Sequence, residues 1–143
     1  MLRRSVAPNM NIQVAVLCDA AADYGGKLNI LGTFDTIVAR QMPAVHPHCT
    51  VALRMAFDRA EEGNRNVTMS FIEDDGRAVM PPIEVPIQVE VPQDAIFVSR
   101  NFIVNIQQMR FEKPGHYAIG ILLDGRLEAS IPLHVKFADT ETH

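Results

Sequence analysis

Apolar residues recur at every second position through most of this chain, the period that sends alternate side chains to opposite faces of a half-buried strand. Near the start, Ile12, Val14, Val16 and Cys18 share one face, with Gln13 and Asp19 on the other. From Thr50 to Asp58, Val51, Leu53, Met55 and Phe57 alternate with Thr50, Arg54 and Asp58. Val67, Met69 and Phe71 repeat the pattern after the turn-rich stretch 61–66. The segment 83–91 sets Ile83, Val85, Ile87, Val89 and Val91 against Glu84, Pro86, Gln88 and Glu90. Proline has no N–H to give to a ladder, so Pro86 predicts a sheet edge or a bulge there.

Two segments need more than simple alternation. Phe102, Val104 and Ile106 share a face that Met109 and Phe111 leave, which predicts a bulge at Gln107 and Gln108. Tyr117, Ile119 and Ile121 lead to Asp124-Gly125, followed by Leu127, Ala129, Ile131, Leu133, Val135 and Phe137, the pattern of a hairpin. Asp-Gly suits a two-residue turn. To keep Leu127 in phase with Ile121, however, the reading favours a three-residue loop over 123–125, with Leu122 opposite Arg126 and Gly125 left-handed. No stretch beyond about ten residues has helical spacing, and 20–23 could form at most one turn. The expectation is an all-β fold: an antiparallel β-sandwich, immunoglobulin-like or a related Greek key, of seven to nine strands. It would occupy 10–138 as one domain, with a loose extension at 1–9 and a tail at 139–143.

Composition changes this picture little. With 143 residues, 48% hydrophobic and 21% charged, the chain has an ordinary globular make-up. A net charge of −4, with its basic residues scattered singly, argues against nucleic acid, which calls for a concentrated basic surface. Two cysteines, Cys18 and Cys49, are too few for a secreted disulfide scaffold, and whether they pair stays open. Arg3 and Arg4 precede an apolar run, but Pro8, Asn9, Asn11 and Gln13 interrupt the place of a signal-peptide core. The expectation is a cytoplasmic protein with no membrane contact.

The segment Lys113-Pro-Gly-His-Tyr117, with the alternating residues after it, resembles a hairpin of immunoglobulin-like sandwiches. The opening Val16-Leu-Cys-Asp-Ala-Ala and then Gly26-Lys-Leu-Asn-Ile-Leu-Gly32 is similar to the start of a bacterial family known only as a domain of unknown function. That resemblance continues over most of 12–137 and implies no activity, cofactor or binding residue.

Candidate chemistry is sparse. His46-Pro47-His48-Cys49 is the one cluster of metal-ligand type; in a strand, His46 and His48 would share a face and would need further ligands from His116, His134 or a carboxylate. Glu73-Asp74-Asp75-Gly76 lacks the ligand ladder of a calcium loop and reads as a turn. Tyr24-Gly25-Gly26-Lys27 also reads as a turn, because a phosphate cradle wants a following helix. No nucleophile elbow, phosphate loop or dinucleotide fingerprint occurs, so neither catalytic residues nor a cofactor are assigned. Leu17, Ile72, Ile103 and Leu122 fall in the outward phase of their strands and would mark an interface if gathered on one sheet. The sequence therefore favours a non-catalytic module that binds a protein partner or itself. Next come a small-ligand or carbohydrate binder, for which no Trp and two Tyr offer little stacking surface, and then a hydrolase with a dispersed site.

Overall fold

The computed structural model describes residues 11–138, which form nine strands and one 3-10 turn at Arg59–Glu61. The strands are β1 (Asn11–Tyr24), β2 (Lys27–Thr33), β3 (Thr36–Ala39), β4 (Ala44–Asp58), β5 (Gly63–Glu73), β6 (Ile83–Val89), β7 (Phe97–Phe111), β8 (Gly115–Leu123) and β9 (Arg126–Phe137). They divide into a four-stranded sheet, ordered β2-β1-β4-β7, and a five-stranded sheet, ordered β3-β9-β8-β5-β6.

The alternating sets identified in the sequence meet between the sheets. Val51, Leu53, Met55 and Phe57 of β4 are fully buried against Val67, Met69 and Phe71 of β5, Ile119, Ile121 and Leu123 of β8, and Ile131, Leu133 and Val135 of β9. Each such side chain contributes about 1.5–3 kcal/mol on leaving water. This shared core fixes which face of every strand points inward. β6 lies at a sheet edge, paired only with β5, with Pro86 opposite Asn66, as the proline requires.

The expectation of a purely antiparallel sandwich is corrected at the other edge of that sheet. β3 runs parallel to β9, from Thr36 opposite His134 to Ala39 opposite Phe137, and the five-stranded sheet is a mixed one curled into a half-barrel. The cause is the short crossover: the Phe34 N–H still bonds to the Leu17 carbonyl in the first sheet at 3.0 Å, while the Asp35 carbonyl already accepts from His134 in the second at 2.8 Å. A chain that changes sheets within two residues must enter β3 in the direction it already travels.

Three local expectations also give way. Gln13 is an extra residue in β1, between the pairs Ile12–Met55 and Val14–Arg54, and it reverses the facing of the later residues of that strand. Leu17 thus enters the core at 1% exposure, and Cys18 turns to the opposite face. The hairpin of β8 and β9 has a two-residue turn: Leu123 pairs with Arg126, and both Asp124 (φ 50°) and Gly125 (φ 86°) are left-handed, as a type I′ turn demands. Phase is restored by Glu128, an extra residue between the pairs Leu122–Leu127 and Ile121–Ala129, so Leu127 faces outward at 62% exposure. In β7, pairing with β4 keeps a single register from Phe97 to Phe111, which refutes a one-sided bulge at Gln107 and Gln108. Both strands change facing together instead, where left-handed Gln108 (φ 56°) lies across from Pro47.

β1 and β2 form a feature that alternation alone does not announce. Cys18 pairs with Thr50 and Val14 with Arg54, so a straight β1 would carry its later residues away from Arg54. Yet the Arg54 guanidinium donates to the Gly26 carbonyl at 2.9 Å, and the Asn101 amide donates to the Asp23 carboxylate at 2.8 Å and to the Gly26 carbonyl at 3.2 Å. β1 therefore doubles back after Cys18, and the 19–32 hairpin arches over the outer face of the first sheet. Ala20 to Asp23 are strand in this arch, not a helical turn. Beneath the arch, Cys18, Thr50 and Ala52 are wholly buried although they point away from the core.

Candidate functional site

The sheet edges are where the structure and the sequence meet most informatively, because a terminal strand leaves one row of backbone N–H and C=O groups without ladder partners. Four strands are terminal: β2 and β7 in the first sheet, β3 and β6 in the second. Three carry features that discourage a further strand. β6 has Pro86 and Glu84, β3 is four residues long, and β2 has Lys27 at its start and left-handed Gly32 (φ 72°) near its end.

β7 differs. It is 15 residues long, and its stretch Asn101-Phe-Ile-Val-Asn-Ile-Gln-Gln-Met109 contains no charge, proline or glycine. Fourteen of its residues are in register with β4 on one side, whereas no described strand pairs with it on the other. The seven residues 101–107, ahead of left-handed Gln108 (φ 56°), make roughly 23 Å of regular, unprotected edge at about 3.3 Å each. Its ends are bracketed by charge: the Arg100 guanidinium donates to the Gln88 carbonyl at 3.0 Å, and Arg110 pairs with Glu112. Asn105 accepts from the buried Thr50 hydroxyl at 2.8 Å, which fixes the middle of the strand to β4.

The four residues read as an interaction surface are not brought together. Leu17 is a core residue and not an outward one, because the extra residue Gln13 shifts its strand by one. Ile103 lies on the outer face of the first sheet, opposite Ala52. Ile72 and Leu122 share the outer face of the second sheet but stand at different levels, opposite Ala118 and Thr68 respectively. Leu127 joins Leu122 there, covering Gly120.

His46 and His48 are separated as well. The change of facing at Pro47 puts His46 on the side of buried Ala44, where its ring lies 5.4 Å from that of Phe34. His48 faces outward beside Gln107. Among the described residues, no group of three or more His, Cys, Asp or Glu side chains is placed to hold a metal ion. Both cysteines are free and buried on opposite faces of the sheet. Burial pushes the Cys49 thiol up to about 11, and burial likewise raises Cys18. Such thiols are poor nucleophiles.

The cleft that includes Tyr117 is lined by Glu73, Arg77, Arg110, Glu112 and Lys113. Lys113 pairs with Glu73 and Arg110 with Glu112, so these charges satisfy one another. The Tyr117 hydroxyl, raised in pKa by burial, donates to the Lys113 carbonyl. Glu61, also raised by burial, accepts from the Asp58 N–H at 2.9 Å and serves the corner at the end of β4. Among the described residues, no helix is long and apolar enough to cross a membrane.

Comparison with known proteins assigns the chain to a family. It belongs to the Family of unknown function (DUF6941), whose model matches residues 13–136. No curated protein matches it. Among solved structures, the Pseudomonas fluorescens alkylpurine DNA glycosylase AlkC, bound to DNA containing an abasic site analog, is similar with a TM-score of 0.52 and 8% identity. The match covers 89% of this chain but only 30% of that one, so this chain spans less than a third of that protein, and the likeness is one of fold alone.

Proposed function

We propose that this protein is a non-catalytic interaction module that self-associates by adding a strand at the free edge of β7. The observation that supports this reading is the contrast among the four edges: three are short, or carry proline, charge or left-handed glycine, and β7 has a seven-residue run, 101–107, with none of these. Antiparallel pairing of β7 with β7 of a second copy, around a two-fold axis, sets the uncharged run against itself. It would join two four-stranded sheets into one of eight strands, with backbone hydrogen bonds supplying affinity and the alternating side chains specificity.

The test is light scattering after size separation, across a concentration series from 1 to about 200 μM. The expected result is a dimer. In a double variant, Asn105→Lys and Gln107→Lys, lysines from the two copies face each other near the axis, and dissociation should strengthen at least about tenfold, or 1.4 kcal/mol. A wild-type monomer at the highest concentration would overturn the reading, as would a dimer indifferent to the double variant.

A further inference from the structure

A separate feature lies on the outer face of the second sheet. His116 of β8 and His134 of β9 are directly opposite each other in the antiparallel ladder. Their rings are stacked, with centroids 4.4 Å apart and planes 12° from parallel. Neither ring makes a hydrogen bond to another described residue, in contrast to the backbone groups that carry them. The His134 N–H donates to the Asp35 carbonyl at 2.8 Å, and the His116 carbonyl accepts from Asp74 at 3.0 Å. Both strands have neighbours on each side, β5 next to β8 and β3 next to β9, so the two backbones are held at a fixed separation.

We infer that His116 and His134 form a two-imidazole site for a borderline divalent transition-metal ion, with Cu2+ the strongest and Zn2+ and Ni2+ weaker. Directly opposed residues on antiparallel strands have Cβ atoms about 4.5–5.5 Å apart. Metal–nitrogen bonds of about 2.0–2.1 Å need two ring nitrogens roughly 3 Å apart on one ion. Turning the two rings about their terminal torsions, which are soft for an imidazole, brings a nitrogen of each to that separation without moving the strands. Imidazole nitrogens suit copper, zinc and nickel, and divalent affinity rises to copper along the series. Two protein ligands leave the other coordination positions to water or to a donor atom on a bound molecule. The site is distinct from His46 and His48, which the change of facing at Pro47 keeps apart, and it does not depend on the β7 edge.

The probe is CuCl2 added to the tag-free full chain in a weakly coordinating buffer near pH 7.5, followed by amide NMR and by thermal unfolding. One equivalent of Cu2+ should broaden the resonances of residues around 116 and 134 first, because the ion is paramagnetic. Ions that bind only the folded ladder should also raise the melting temperature. His116→Ala and His134→Ala, both changes on the sheet surface, should each weaken binding at least tenfold, while His46→Ala and His48→Ala leave it unchanged. Broadening centred elsewhere, equal binding by the His116→Ala variant, or no binding at 0.5 mM Cu2+ would each overturn the inference.

Discussion

At the scale of single residues, burial sets the chemistry. Cys49 has no exposed surface, and its thiol is pushed up to about 11 from an ordinary value of 9.0. Between those values the unfolded chain has released its proton while the folded one still holds it. Stability is therefore intact below pH 9 and falls as pH climbs toward 11, with a limiting slope of about 1.4 kcal/mol per pH unit from this group. Urea midpoints measured at pH 7.5 and 10.5 should drop further for the wild type than for Cys49→Ala, and equal drops would contradict the assignment. Composition showed that these thiols were unlike a secreted disulfide set, and the alternation placed Val51, Leu53, Met55 and Phe57 inside. It misplaced Leu17, because nothing about Gln13 as a residue type says that it is surplus to the ladder. An extra residue in a strand is defined by the partner it fails to have.

At the scale of elements, the hairpin of β8 and β9 shows how two solutions to one phase problem can be told apart. A three-residue loop would bury Leu127 opposite Ile121; the type I′ turn with Glu128 inserted leaves it outside. Leu127→Ser should then cost under about 1 kcal/mol, whereas Ile131→Ala, at 4% exposure, should cost about 2–5 kcal/mol by chemical denaturation. Comparable losses at the two positions would restore the longer loop. The arch of β1 and β2 allows a second measurement. Asn101 and Arg54 hold its tip, and Cys18 lies beneath it. Each lost side-chain hydrogen bond is worth about 1 kcal/mol net, so Asn101→Ala should raise the opening population about fivefold to thirtyfold. The readout is the rate of Cys18 modification in a Cys49→Ala background, and an unchanged rate would mean that the tip does not hold the arch closed. Alternation made the strand content legible, as did Pro86 the edge position of β6. The arch was not, since it depends on Arg54 and Asn101 reaching residues 28 to 78 positions away in sequence.

At the scale of the whole molecule, strand order decides what each part of the candidate site can do. The uncharged run 101–109 is plain in the sequence, but its meaning depends on β7 being terminal, a property of strand order and not of β7 itself. The stacked pair of His116 and His134 likewise depends on the register of two strands, which Glu128 alters by one residue. The parallel pairing of β3 with β9 has a consequence for how the chain comes to be made. Thr36 finds its partner His134 only 98 positions later, the interval from 36 to 134. On a ribosome, where a chain emerges from its N-terminus onward, β3 is synthesised early and must wait for β9 before its sheet can be sealed. Until then β3 and β8 are both bare edges, and pairing across so long a loop is intrinsically slow. A nascent chain stalled before residue 126 would expose to its neighbours two edges that the finished protein never shows.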